Sequence, residues 1–134
     1  MTLVVDASVV VAGVEGRGVL SDWSIGTMEH DDLVAAAHLP VEVTHVLRRK
    51  ELLGELVPEI AVLAHADAMS LGIELIDFGP FSERVWDLRH TVSPYDAWYV
   101  AIAELLDAPF ATLDRRLAAA DGPLCRFLTP PAGV

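Results

Sequence analysis

The stretch LVVDASVVVAG, Leu3 to Gly13, decides how the rest of the chain is read. Its first three residues have the apolar, branched character of a buried strand, yet an aspartate follows at once and the oily run resumes behind it. No lysine or arginine lies near Asp6 in sequence. The acid therefore either caps a short helix starting at Ala7 or serves as a ligand, and the remaining sequence must discriminate.

Outward from this stretch, short β-like runs alternate with helical patterns. Strands are expected over Leu3–Val5, Leu33–Ala36, Ile73–Ile76, Phe110–Leu113 and, more weakly, Arg126–Leu128. Helices are expected over Leu20–Met28, Pro40–Leu53, Pro58–Leu71, Phe81–Leu88 and Pro94–Leu106, with a short one from Arg115. Pro40, Pro58 and Pro94 suit first helical turns, where a missing N–H costs nothing, and Gly54 and Gly72 suit helix ends. GVEGRG, from Gly13 to Gly18, reads as a turn, and residues 129–134 read as a fraying tail. Strand followed by helix, repeated, requires crossover connections and a parallel sheet covered on both faces. The expectation is one α/β domain over residues 1–134, a three-layer α/β/α sandwich.

Composition narrows the function. The chain has 134 residues, is 53% hydrophobic and carries a net charge of −11, which disfavours nonspecific attraction to nucleic acid and favours cations or a basic partner. Charges interrupt every apolar run before it could span a membrane, and Asp6 falls where an export signal would need unbroken hydrophobicity, so a cytoplasmic protein is expected. The single cysteine, Cys125, excludes an internal disulfide and a thiolate-rich metal site, and reads as a small buried residue. His30, His38, His45, His65 and His90 form no i, i+4 zinc pair and read as surface or partly buried residues.

In a parallel sheet, the residues just past the strands' C-terminal ends gather along one edge. Four acids are predicted there: Asp6 after the first strand, Glu42 in HLPVEVTHVLRR, Asp96 in SPYDAWYVAIAE and Asp114 in ATLDRRLA. Each has a plain role as a cap or as a partner of a helix dipole. Together, in surroundings as apolar as VVDASVVV and YDAWYVAIA, they repel one another unless protonated or neutralised. A set of oxygen ligands without cysteine or a close histidine pair suits magnesium or manganese. Ser8 either adds a hydroxyl beside Asp6 or caps the next turn.

With VVDAS, HLPVEVTHVLRR, SPYDAWYVAIAE and ATLDRRLA in this order from Leu3 to Leu117, the chain resembles PIN-domain ribonucleases, and among them VapC-type toxins of bacterial toxin–antitoxin pairs. The resemblance implies five parallel strands in the order 3-2-1-4-5, with Asp6, Glu42, Asp96 and Asp114 as the acidic quartet that binds magnesium or manganese. It implies Ser8 and Thr112 as polar neighbours of that quartet, and RNA cleavage that leaves a 5′-phosphate and a 3′-hydroxyl. It also implies a homodimer and a VapB-type antitoxin whose C-terminal segment places an arginine among the acids.

Even two bound divalent ions would leave the chain strongly negative, so local basic clusters have to hold RNA. The candidates are Arg48, Arg49 and Lys50, two turns beyond Glu42, and Arg115 and Arg116 beside Asp114. Trp23, Ile25 and Met28 in LSDWSIGTMEH form an amphipathic stripe, a candidate groove for the partner or else plain core. A phosphoaspartate receiver needs a late lysine, whereas the sole lysine is Lys50. No phosphate-binding glycine loop follows any predicted strand. The remaining alternative is a noncatalytic PIN-like module that binds RNA or protein; the presence of all four acids favours catalysis.

Overall fold

The structure, a computed structural model, describes residues 1–29 and 32–133; His30 lies outside the described residues. In chain order the elements are β1 (Thr2–Val5), α1 (Ala7–Glu15), α2 (Gly18–Met28), β2 (Asp32–Ala36), α3 (Leu39–Leu52), α4 (Pro58–Met69), β3 (Glu74–Ile76), a 3-10 turn (Gly79–Phe81), α5 (Ser82–Asp87), α6 (Pro94–Leu106), β4 (Phe110–Ala111), α7 (Arg115–Ala118) and β5 (Phe127–Leu128). The strands form one sheet in the order β3-β2-β1-β4-β5. All four neighbouring pairs are parallel, with Leu3 opposite Leu33 and Val5 opposite Ala111. The expected sandwich and strand order are those observed.

Leu3, Val4 and Val5 are fully buried, as a central strand covered on both faces requires. α1 and α2 carry the chain from β1 to β2, α3 and α4 carry it from β2 to β3, and α6 packs across β1, β2 and β4. Right-handed crossovers put these two groups on opposite faces, because the strand order reverses at β1. Asp6 follows β1, at that switch point. Among the described residues no helix is long and apolar enough to cross a membrane.

One local expectation needs correction. The run after Asp6 forms the full helix Ala7–Glu15, and the turn begins only at Gly16, whose φ of 74° is the left-handed conformation a helix C-cap adopts. Valines discourage helix by themselves, but Val9, Val10 and Val11 are buried, and the Asp6 carboxylate caps the helix by accepting from the backbone N–H groups of Ser8 and Val9. Gly13 lies within this helix rather than in a turn, facing the flexible end of Met28, whose Cε would stand 2.7 Å from a Cβ there. In the C-terminal tail, Arg115 Nη2 donates to the carbonyls of Pro130 and Pro131 at 2.6 and 3.2 Å.

Candidate active site

Asp6 is only 8% exposed, and hydrogen bonds occupy both of its carboxylate oxygens. Oδ1 accepts from the Ser8 backbone N–H (3.1 Å), the Ser8 hydroxyl (2.5 Å) and the Val9 N–H (3.3 Å); Oδ2 accepts from the Thr112 hydroxyl at 2.6 Å. The two hydroxyls also bind the loop after β4: Leu113 N–H donates to Ser8 Oγ, and Asp114 N–H donates to Thr112 Oγ1, both at 3.1 Å. Ser8 and Thr112 therefore orient Asp6 and fix the start of the loop that carries Asp114. Asp114 caps α7, its Oδ1 accepting from the N–H groups of Arg116 and Leu117.

Glu42 and Asp96 arrive from helices. Pro40 occupies the first turn of α3, and Glu42 lies in that same turn, where the positive end of the helix dipole favours a carboxylate. Asp96 lies in the first turn of α6, where its N–H donates to the capping hydroxyl of Ser93 at 3.3 Å. Asp96, Asp114, Ser93 and Arg116 line one cleft of about 490 Å³.

The acids influence one another. Burial raises the pKa of Asp6 from 3.8 to about 6 against its three hydrogen-bonding neighbours, and the charge of Asp96 adds to the rise. Asp96 is raised chiefly by burial, then by the charges of Asp114 and Glu42, while Ser93 and His38 oppose the rise. Among the described residues no lysine or arginine is paired with any of the four. The donor set is all oxygen and mutually repelling, which fits a hard divalent cation. As the side chains stand, no three carboxylate, histidine or cysteine groups among the described residues are gathered into a metal cage. Magnesium is commonly held by one or two carboxylates with retained waters, so an open arrangement fits it.

The profile of the PIN domain matches residues 3–123. The chain belongs to the PIN domain family. Ribonuclease VapC1 of Mycobacterium tuberculosis is 41% identical over 128 residues, spanning 92% of this chain and 94% of that protein. Ribonuclease VapC12 of the same organism is 33% identical over 88 residues, 66% of this chain and 68% of that protein. Two solved structures share the fold. VapC20 of Mycobacterium tuberculosis, described as a Sarcin-Ricin loop cleaving toxin, matches with TM-score 0.64 and 18% identity over 87% of this chain and 93% of its own. VapBC2 of Rickettsia felis, bound to a DNA fragment from its promoter, matches with TM-score 0.64 and 11% identity over 96% of this chain and 98% of its own.

Around the acids of this PIN domain, the other candidates fall into distinct places. Arg116 lines the cleft with Asp96 and Asp114, whereas Arg115, one residue earlier, is spent on the tail. Arg48 and Arg49 are exposed on the last turns of α3, and Lys50 pairs with Glu15 of α1 at 2.5 Å. Ile25 and Met28 line a cleft of about 660 Å³ with Leu33 and Leu71, at the strand N-terminal edge and so away from the acids; Trp23 packs half-buried against the core. A second apolar cleft, lined by Val11, Val19, Leu20 and Val46, runs to Ser8 and Leu113 at the acidic edge.

Two residues near the acids were not among the expected site residues. Tyr99, fully buried, donates its hydroxyl to Glu42 Oε1 at 2.8 Å. His38 Nε2 lies 2.9 Å from the same oxygen, without the in-line geometry of a hydrogen bond. Its ring stacks on Trp98, with centroids 4.9 Å apart. The signal for Tyr99 was its spacing: it follows Asp96 by three residues, which puts both on one face of α6. His38 stands immediately before α3, at the C-terminal end of β2.

Proposed function

We propose that this PIN domain is an endoribonuclease that hydrolyses RNA phosphodiester bonds with magnesium or manganese, and that it is the toxin of a toxin–antitoxin pair. The observation that carries this reading is the coupling of four carboxylates, drawn from four separate segments, with no lysine or arginine of the described chain paired to them. The ribonuclease names of its relatives, the first of them 41% identical, support the same reaction.

Asp6 and Asp96, with Glu42 and Asp114 directly or through water, would hold the cation, which would supply Lewis acidity and offset charge on the scissile phosphate. Ser8 and Thr112 hold Asp6 in one orientation by hydrogen bonds to opposite oxygens. Arg116 faces the cleft from its rim and contacts a phosphate beside the cut, and the exposed Arg48 and Arg49 hold the strand further along. Lys50 and Arg115 have partners within the chain and contribute less.

The antitoxin reading is supported by the fold shared with a VapBC assembly and by the apolar cleft along α1 and α2, which leads to the acids. An amphipathic segment lying there brings an arginine to the quartet, where the charges are complementary. Exposed Val41, Trp86 and Tyr95 supply apolar surface for a homodimer. The proposal includes a cytoplasmic site of action.

The test is incubation of the purified chain with structured RNA in magnesium, manganese or chelator. Cleavage that needs the metal and disappears in Asp6→Asn and Asp96→Asn proteins of unchanged fold supports the reading. Cleavage that survives both substitutions overturns the site, and binding without cleavage points to the noncatalytic module.

A further inference from the structure

We propose that Tyr99 is a positioning residue of the acidic site: its hydroxyl, with His38 on the flank, holds Glu42 by Oε1, so that Oε2 is the oxygen left for a cation. The inference rests on the metal-dependent reading above and adds a residue to it.

Glu42 stands on the first turn of α3 with its side chain 32% exposed, so without a partner its torsions would carry the carboxylate through many positions. Tyr99 has no such freedom. It is 0% exposed, and its ring stacks on Phe110 of β4 with centroids 5.5 Å apart and planes at 22°. The hydroxyl at the end of this rigid ring donates to Glu42 Oε1 at 2.8 Å. On the other side, His38 lies against the same oxygen at 2.9 Å and is wedged between rings, 4.9 Å from Trp98 and 5.4 Å from Tyr99. Among the described residues, Oε2 of Glu42 has no hydrogen-bond partner.

Tyr99 spends its single proton on a member of the acid cluster, from the helix that also carries Asp96 three residues earlier. Asp6 too is oriented by side-chain hydroxyls, although there both oxygens accept one. Outer hydrogen bonds of this kind fix ligand orientation and commonly matter about 10–100-fold in metal affinity or activity.

The test is a double-mutant cycle on the full chain, read by calorimetric titration with Mn²⁺ and by single-turnover RNA cleavage. Tyr99→Phe keeps the ring and removes the donor. The expected result is an Mn²⁺ Kd raised about tenfold and a kcat lowered about 10–100-fold, with KM for RNA within about twofold. In the Glu42→Gln background, Tyr99→Phe is expected to add less than about twofold to Kd, because its effect passes through Glu42. Wild-type Mn²⁺ affinity in Tyr99→Phe, or an undiminished effect in the Glu42→Gln background, overturns the inference. So does a Glu42→Gln protein that binds Mn²⁺ as wild type does while Asp6→Asn does not, and in that case the metal reading survives alone. A wild-type chain that binds no Mn²⁺ removes both. Should Tyr99→Phe fail to fold, Glu42→Asp withdraws the carboxylate from the hydroxyl while keeping its charge: affinity lost as in Glu42→Gln supports the clamp, and wild-type affinity overturns it.

Discussion

The molecule treats carboxylates in two opposite ways. At the end of α6, Glu104 is neutralised from within the chain: Arg84 Nε and Nη2 donate to its two oxygens at 2.7 and 2.9 Å, and the Leu124 N–H adds a third bond at 2.8 Å. Burial is the largest single influence and pushes its pKa up, but the Arg84 hydrogen bond, the Leu124 N–H and the Arg84 charge together outweigh it and leave the carboxyl below its ordinary value. At the start of the same helix, Asp96 is pushed up by burial and by Asp114 and Glu42, and Asp6 rises to about 6. One helix thus carries a structural acid at its C-terminal end and an unneutralised one at its N-terminal end. The fold can supply a guanidinium where only stability is at stake, so the lack of one paired to the quartet among the described residues is consistent with the proposed role of these acids in holding a cation from outside.

The largest effect that sharpens this contrast is on cleavage. Asp6→Asn or Asp96→Asn is expected to lower kcat by at least about 10³-fold, while Arg84→Met leaves it within about threefold, measured on RNA under saturating manganese. A strong loss of turnover in a folded Arg84→Met protein would break the division between the two ends of α6.

The next effect is on stability, and its sign is opposite at the two sites. Asp6 has a folded pKa of about 6 against 3.8 unfolded, so between these values the folded chain retains a proton that the unfolded chain has released. Its contribution is most favourable below pH 4 and is lost as pH rises through 6, an ionisation cost of about 3 kcal/mol at neutral pH without metal. Glu104, with a lowered pKa, contributes stability that is present at neutral pH and is lost as pH falls through its folded value. Denaturant unfolding of wild type and Asp6→Asn in chelator is therefore expected to diverge as pH is raised from 4 to 7.5, with the variant gaining relative to wild type. Manganese should close the gap at pH 7.5. A gap independent of pH would mean that Asp6 is already neutralised within the chain.

How much of this was legible in the sequence depends on the range of each interaction. The sheet, its parallel strands and the positions of Asp6, Asp96 and Asp114 follow from local signals: a strand ending on an acid, a proline in a first turn, a cap. The helix over Ala7–Glu15 was less legible because three successive valines argue locally for a strand, and only burial against the rest of the core overrides them. Tyr99 was only faintly legible, through its spacing from Asp96, and for another reason. Its partner Glu42 is 57 residues away, and within YDAWYVAIA an aromatic residue on the buried face reads as core. Arg115 and Arg116 are adjacent in a helix of four residues, and no pattern in the sequence tells which one turns to the cleft.

Within the structural site, Arg84→Met is expected to cost about 1–3 kcal/mol, because it leaves Glu104 half-buried without its partner and frees the carbonyl of Gly122, to which Arg84 Nη2 also donates at 2.9 Å. Thermal unfolding near neutral pH measures this. Mn²⁺ affinity should not change, since Glu104 and the quartet lie at opposite ends of α6. A large change in Mn²⁺ affinity would show that the two clusters are coupled through the helix.

The smallest effect separates the two adjacent arginines. Arg116→Ala is expected to raise KM for RNA by about 2–10-fold and to reduce the salt dependence of binding by about one phosphate contact, with kcat nearly unchanged. Arg115→Ala removes the hydrogen bonds to Pro130 and Pro131, so it should loosen the C-terminal tail, seen as faster amide exchange there, and leave KM and the salt slope close to wild type. The two substitutions remove the same charge from neighbouring positions, so a difference in salt slope between them reports orientation and not net charge. Equal slopes would mean that RNA feels the arginines only as part of a general field, and the distinction between a cation used by the fold and one left for the substrate would then fail at this edge of the sheet.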